Sequence, residues 1–167
     1  MKIGTVLFDQ AKGAAIITLV EEEGERVLPI FIGMWEGMAI YREINRVASP
    51  RPLLHDLFHN ILQGLHTRLE KVVVDSLGDA TFFAQLHLRQ HDTAVIADAR
   101  PSDAVALAVK FQAPIYVAEA VLEVAGKRGD FAVPKGEGDE DQGTPATTEE
   151  IQSWLEDIRP EDFAEPQ

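Results

Sequence analysis

Residues 69–98, LEKVVVDSLGDATFFAQLHLRQHDTAVIAD, consist of three apolar segments separated by two polar turns. The segments 69–77, 80–88 and 93–98 are each of strand length, and the second alternates polar and apolar residues as a half-buried strand does. The turns at 78–79 and 90–92 are too short for a helical crossover, so neighbouring strands must run in opposite directions. The sequence therefore predicts an antiparallel meander.

The residues before the meander predict more strands and then two helices. Apolar segments at 13–20 and 26–32 flank the polar residues 21–25, which predicts a hairpin, and residues 2–8 predict a preceding strand. Residues 33–47 have an apolar and a polar side, as an amphipathic helix has. A second helix is predicted over 53–65. Its expected buried stripe consists of Leu54, Leu57, Phe58, Ile61, Leu62 and Leu65.

After the meander, Pro101 suits the first turn of a helix that extends to about Gln112. A short strand at 115–117 and a last helix at 118–125 follow. Strands and helices come in separate runs instead of alternating one by one. We therefore predict an α+β fold, in which a mixed, largely antiparallel sheet (hairpin plus meander) packs with three to four helices.

The charge distribution predicts the domain organisation. The chain of 167 residues has a formal charge of −13. Residues 134–167 contain 11 acidic and 2 basic side chains, a net charge of −9, which leaves −4 for residues 1–133. We predict one domain over 1–133, an acidic flexible linker over 134–146, and a short C-terminal helix and tail over 147–167. The helix is predicted by Ile151, Trp154, Leu155 and Ile158, which share one helical face.

Composition excludes several classes of function. A net charge of −13 excludes a broad basic surface for nucleic acid, so any nucleic acid is expected to bind weakly. The absence of cysteine excludes disulfides, thiolate zinc sites and cysteine nucleophiles. No apolar run reaches the ~20 residues of a membrane span, and no signal peptide is apparent, so a cytoplasmic protein without a membrane partner is expected. Broad apolar segments suggest a homo-oligomer, a dimer or larger.

Two histidines four residues apart, His55 and His59, would lie on one face of the second predicted helix. Zinc proteases bind their metal with such a pair, although they have Glu where this chain has Asp56. No third ligand is evident in the sequence. The alternative is that His59 is a solvated or capping histidine.

A second polar motif, Asp98-Ala99-Arg100-Pro101-Ser102-Asp103-Ala104, lies where a strand meets a helix. Free backbone N–H groups in the first helical turn favour an anion. Arg100 could bind a phosphate through two hydrogen bonds, and Asp98 and Asp103 could bind a divalent cation. The alternative is structural: Asp103 caps its helix and Asp98 pairs with Arg100.

Together with segments elsewhere, this motif resembles the bifunctional nuclease domain family. The resemblance covers about residues 1 to 126. Its segments are Phe31-Ile32-Gly33-x-x-Glu36-x-x-Ala39-Ile40, Pro50-Arg51-Pro52-x-x-His55-Asp56-Leu57, Asp79-x-Thr81-Phe82-Phe83-Ala84-x-Leu86-x-Leu88, Asp98 to Ala108, and Pro114-Ile115-Tyr116-Val117. Two positions depart from the family pattern: Leu54 stands where Thr is usual, and Gly37 stands where Ala is usual.

The resemblance implies cleavage of DNA and RNA. On this hypothesis Mg²⁺ or Mn²⁺ is the cofactor, and no nucleotide or organic cofactor is indicated. The implied metal ligands are Glu36, Asp98 and Asp103; the implied catalytic residues are His55, Asp56, Arg100 and Asp103; the implied substrate-binding residues are Arg51, Arg100 and Ser102. In the second hypothesis the chain is a non-enzymatic oligomeric module. It binds a small anionic ligand or a protein partner at the helix N-terminus formed by Asp98 to Asp103.

Overall fold

The computed structural model describes residues 1–22 and 26–128. The predicted linker and C-terminal helix lie outside these residues. The strands are β1 (Lys2–Asp9), β2 (Ala14–Val20), β3 (Arg26–Gly33), β4 (Thr67–Gly78), β5 (Thr81–Gln90), β6 (Thr93–Ala99), β7 (Ile115–Val117) and β8 (Lys127–Arg128). The helices are α1 (Met34–Ile44), α2 (Leu54–Gly64), α3 (Pro101–Phe111) and α4 (Glu119–Ala125).

The strands form two four-stranded sheets, ordered β1-β2-β3-β8 and β6-β5-β4-β7. All neighbouring strands are antiparallel except β4 and β7, which are parallel with Val72 opposite Ile115. The predicted α+β class, the mostly antiparallel pairing and the helix count are confirmed for the described residues. The hairpin and the meander, which were expected in a mixed sheet, belong to different sheets.

Helix α3 lies at the centre of the molecule. Residues 104–108, Ala-Val-Ala-Leu-Ala, are all buried, so this helix has no solvent-facing side over that turn and a half. It contacts α1, α2, β4 and β5. Three alanines allow these elements to approach closely, because a small side chain keeps neighbouring backbones near one another. The packing of α1 and α2 against α3 thereby fixes the N-terminus of α3.

The prediction for the buried stripe of α2 is wrong at four of its six positions. Leu62 is buried and Phe58 is half-buried, whereas Leu54 is 74% exposed. The other exposed members are Leu57, Ile61 and Leu65. The apolar residues span a wider arc than the surface that α2 contacts, and half-buried histidines occupy part of that inner surface.

Helix α1 ends at Ile44 and not near Val47 as predicted. Arg46 has a φ of 52°, in the left-handed region. The Val47 N–H donates to the Arg42 carbonyl at 2.9 Å, and the Arg46 N–H donates to the Glu43 carbonyl at 3.2 Å. These are the two hydrogen bonds of a Schellman motif, which satisfies the last carbonyls of a helix.

Membrane-spanning helices are absent from the described part of the chain, where every helix is too short or too polar to cross a bilayer.

Candidate functional site

Three helix beginnings bring four predicted site residues together. Glu36 lies in the first turn of α1, His55 in the first turn of α2, and Arg100 and Asp103 at the start of α3. We refer to these four residues as the Arg100 cluster. They come from chain positions up to 67 residues apart, so the packing of α1 and α2 against α3 is what assembles them.

Arg100 is the centre of the cluster. Its Nε donates to Asp103 Oδ2 at 2.7 Å and its Nη2 donates to Asp103 Oδ1 at 3.1 Å, while its Nη1 donates to Glu36 Oε1 at 2.9 Å. The hydrogen bonds with Asp103, and to a smaller extent the one with Glu36, raise the pKa of the Arg100 guanidinium above its ordinary value. A guanidinium has five N–H donors, so two remain for another acceptor. Its side chain is 64% exposed, so solvent and solutes reach it.

The loop before α1 accommodates the Glu36 carboxylate. A Cβ at Gly33 would overlap the Glu36 Oε2 atom. Glycine at this position therefore lets the Glu36 side chain fold back along the end of β3 toward Arg100. This close approach gives a physical reason for glycine in the predicted Phe31-Ile32-Gly33 segment.

His55 is the fourth member of the cluster. Its Nε2 lies 3.6 Å from Asp103 Oδ1, which is too long for a hydrogen bond. This nitrogen is buried and has no hydrogen-bond partner among the described residues. Buried polar atoms are normally paired. An unpaired ring nitrogen beside Asp103 is a group that a bound molecule or a water could satisfy.

Asp56, predicted to be catalytic, makes a different set of contacts. Its Oδ1 is 2.6 Å from Lys110 Nζ, and its Oδ2 accepts the Leu53 N–H at 2.7 Å. Lys110 also contacts Glu43 Oε2 at 2.9 Å. The hydrogen bond with Lys110, and to a smaller extent the one from the Leu53 amide, hold the pKa of Asp56 below its ordinary value. Asp56 thus caps α2 and ties it to α3, and through Lys110 to α1.

The sequence reasoning did not identify Lys110 or Glu43. The only available indication was a lysine on a helix that is otherwise almost entirely apolar. Although burial lowers the pKa of Lys110, its hydrogen bonds with Asp56 and Glu43 raise that pKa overall. The three residues form a positioning network next to the Arg100 cluster.

The remaining predicted residues are placed apart from this cluster or at its rim. Asp98 is exposed on β6, opposite Gln85 of β5, and its side chain forms no hydrogen bond or ion pair within residues 1–22 and 26–128. Arg51 is also exposed, and its side chain is likewise without such a partner in the described chain. Ser102 is buried and lines a cleft beside Arg100.

For the Asp98–Ala104 motif, the structural alternative was that Asp103 caps its helix and Asp98 pairs with Arg100, and the observed contacts differ from it. Asp98 does not pair with Arg100, and α3 has no side-chain cap, because Asp103 binds the Arg100 guanidinium instead of a backbone amide.

In the zinc-protease alternative His59 would be a metal ligand. In the structure the His59 ring lies 4.6 Å from the Phe111 ring, centroid to centroid, and its Nε2 is 3.2 Å from Gln63 Nε2.

Within the described residues, no three His, Asp or Glu side chains are grouped so that they could hold a metal ion. Of the three predicted metal ligands, the structure brings Glu36 and Asp103 together, but it does so around Arg100. Asp103 uses both carboxylate oxygens and Glu36 uses one for the guanidinium. As arranged, the predicted set Glu36, Asp98 and Asp103 does not fit a divalent cation.

A cleft of about 320 Å³ opens beside Arg100, and we call it the Phe31 cleft. It lies between the end of β3, the start of β5 and the first turns of α1 and α3. Its lining consists of Ile30, Phe31, Ile32, Gly33, Glu36, Ala80, Thr81, Phe82, Arg100, Pro101 and Ser102. A larger cleft of about 440 Å³ surrounds Arg26, which is paired with Glu21 and Glu119. That cleft contains none of the predicted site residues, so the smaller one is the candidate site.

Comparison with known proteins gives a family. The model of the bifunctional nuclease domain matches residues 17–129. An uncharacterised protein of Mycobacterium tuberculosis is 36% identical over 166 residues, which are 98% of this chain and 96% of that protein. Bifunctional nuclease 1 of Arabidopsis thaliana is 28% identical over 68% of this chain and 36% of the plant protein. Bifunctional nuclease 2 of Oryza sativa subsp. japonica is 25% identical over 65% of this chain and 34% of the plant protein. The family match extends over the strands and helices that form the Arg100 cluster, and the chain therefore belongs to the bifunctional nuclease domain family.

Proposed function

We propose that the chain hydrolyses phosphodiester bonds of DNA, RNA or both at the Arg100 cluster. One observation supports this most strongly. A guanidinium is held by Glu36 and Asp103 and has two N–H donors left, and the unpaired Nε2 of His55 lies 3.6 Å from the same Asp103 carboxylate. Family membership and the names of the plant relatives point to the same chemistry.

In this proposal Arg100 binds and stabilises the reacting phosphate. The two remaining N–H groups donate to its non-bridging oxygens, where negative charge increases in the transition state. Glu36 and Asp103 act as positioning residues, because their three hydrogen bonds fix the plane of the guanidinium before substrate arrives. Ser102 and Arg51 are proposed to bind the phosphate or its neighbours along the strand.

His55 is proposed to move the proton. Once substrate binding gives a water access to the buried Nε2, this nitrogen accepts a proton from that water as the bond between the water oxygen and phosphorus forms. The ester bond between phosphorus and the leaving oxygen breaks, and that oxygen takes up a proton from solvent or from protonated His55. The neighbouring Asp103 carboxylate stabilises the imidazolium that exists between these two transfers.

A divalent cation takes part in none of the proposed steps. Mg²⁺ and Mn²⁺ prefer carboxylate oxygens. The Arg100 guanidinium binds both oxygens of Asp103 and one oxygen of Glu36, so a cation shared by the two carboxylates would require Arg100 to move away from Asp103. Assays with EDTA, with Mg²⁺ and with Mn²⁺ measure whether a cation contributes.

The homo-oligomer also stays a proposal, and we assign its interface to α2. The exposed row Leu54, Leu57, Ile61 and Leu65 is an apolar surface without charge. Two chains of charge −13 repel each other, so they would associate where the contact surface has no acidic side chains. We therefore propose a second copy of this chain as the partner of that row.

The alternative function is a non-enzymatic module that binds a small anion or a protein at the start of α3. The pairing of Arg100 with two carboxylates favours it, because such a network can serve structure alone. A cleavage assay distinguishes the two functions. Rigorously purified protein is incubated with labelled DNA and RNA, with and without divalent cations. An active protein whose activity falls in Arg100→Gln supports the nuclease, and an inactive protein that binds anions supports the module.

A further inference from the structure

The Phe31 cleft joins an apolar wall to the proposed phosphate site. Arg100, Glu36 and Ser102 line one part, while Ile30, Phe31 and Phe82 line another. Phe31 is 37% exposed although the preceding four residues of β3 are buried. The volume of the Phe31 cleft, about 320 Å³, is at the lower end of the range for small-molecule sites. A cleft of this size beside a phosphate-binding arginine suits one nucleotide unit.

The backbone of β3 offers hydrogen-bonding groups to the same cleft. The Glu21 N–H donates to the Arg26 carbonyl at 3.0 Å, so Glu21 and Arg26 form a hydrogen-bonded pair. Counting along the register from this pair shows which residues of β2 and β3 exchange hydrogen bonds. Because such pairs alternate along an antiparallel ladder, Phe31 lies in a pair that does not bond, opposite Ile16. Its N–H and carbonyl therefore point away from β2.

The edge to which these groups point is open in the described structure. Strand β8 pairs with β3 only at Arg26 and Val27, and none of the other described strands pairs with that edge of β3. The lining of the cleft by four consecutive residues, Ile30 to Gly33, agrees with a strand edge along its wall. A donor and an acceptor on one residue match the edge of a nucleobase.

We propose that the Phe31 cleft binds the nucleobase next to the phosphate held by Arg100, and that the substrate is single-stranded. The base would stack on Phe31 and present its edge to the Phe31 backbone. A base inside a duplex is stacked on both faces and paired along that edge, so it is not accessible to such a cleft. This inference rests on the proposed function, since it assigns the cleft to the substrate of that site.

Binding is measured apart from cleavage. Fluorescence anisotropy compares a single-stranded DNA of about twelve nucleotides with its duplex, at low salt and in a His55→Gln background that suppresses hydrolysis. Phe31→Ala is expected to weaken single-strand binding about tenfold, whereas Phe31→Trp keeps an aromatic surface and retains it. Phe83→Ala is the matched control, since Phe83 is an exposed neighbour of Phe82 that does not line the cleft.

The result that overturns the inference is an unchanged affinity in Phe31→Ala, an equal affinity for duplex and single strand, or no binding of either. Cleavage by otherwise wild-type protein is measured in parallel. Phe31-dependent binding without cleavage overturns the nuclease and keeps the base site. Cleavage that Phe31→Ala leaves unchanged on single strands and duplexes alike overturns the base site and keeps the nuclease. A thermal unfolding midpoint within a few degrees of wild type shows that each variant is folded.

Discussion

Replacing Lys110 with methionine tests the network that positions α1 and α2 on α3. Lys110 Nζ lies 2.6 Å from Asp56 Oδ1 and 2.9 Å from Glu43 Oε2, and its side chain is only 15% exposed. Methionine fills most of the volume but leaves two partly buried carboxylates without their cation. Losing one member of a buried pair costs about 3–5 kcal/mol, whereas an exposed pair contributes about 0–1 kcal/mol.

The partial exposure of this network places the expected loss between those limits, at about 2–3 kcal/mol of unfolding free energy. For a chain of this size that corresponds to a melting temperature lower by about 4–12 °C. Urea titration followed by circular dichroism measures the loss. The matched control is Lys12→Met, which removes a lysine that is 75% exposed and paired with Asp9, and we expect its midpoint to be unchanged. Equal unfolding free energies for Lys110→Met and wild type would refute the reasoning.

The same network predicts a pH dependence. The pKa of Asp56 is below its ordinary value of 3.8 in the folded state, so its stabilisation is complete above that pH and is lost as the pH falls through the folded pKa. The pKa of Lys110 is above its ordinary value of 10.5, so its contribution is complete below pH 10.5 and is lost at higher pH. The difference between wild type and Lys110→Met is therefore constant from about pH 5 to 9 and shrinks below about pH 4.

Three further predictions concern packing, assembly and substrate binding. Gly37→Ala lowers stability by about 1 kcal/mol despite a better helix propensity, because the new Cβ would lie 2.5 Å from that of Ala15; a denaturant midpoint at or above that of wild type would contradict this. Leu57→Asp in the exposed row of α2 shifts the mass measured by light scattering toward that of a monomer, while Val95→Asp, at an exposed apolar position on β6, does not. Single-strand binding weakens steeply with added salt, since phosphate contacts release counterions, and an affinity independent of salt would exclude contact through Arg100.

The strands and helices could be predicted from the sequence because each follows from a local pattern. Short polar turns at 78–79 and 90–92 specified antiparallel neighbours, and Pro101 specified the start of α3. Division into two sheets could not be predicted, because it depends on tertiary packing, in which α1 contacts β1 to β3 while α3 contacts β4 and β5. The exposed side of α2 was mispredicted for a related reason, since periodicity shows where apolar residues lie but not whether another element covers them.

The site was predictable in its membership more than in its contacts. The family resemblance predicted Glu36, His55, Arg100 and Asp103 as site residues, and the fold places them together. Which carboxylate binds Arg100 depends on the packing of α1 against α3, and spacing along the chain favoured Asp98 over Glu36. Lys110 was missed because its partners are 54 and 67 residues away in the chain.

The most direct test of the Arg100 cluster is the cleavage rate of purified Arg100→Gln compared with Arg89→Gln on labelled DNA and RNA. Both variants remove an arginine paired with carboxylates, but Arg89 contacts Glu70 on the β4–β5 pair and lies outside the cluster. Both are assayed with EDTA and with divalent cations, after folding is confirmed by circular dichroism. We predict a rate about 100-fold to 1000-fold lower for Arg100→Gln and an unchanged rate for Arg89→Gln. Equal rates for Arg100→Gln and wild type would contradict the account, because the activity would then arise elsewhere on the chain or from a contaminating nuclease.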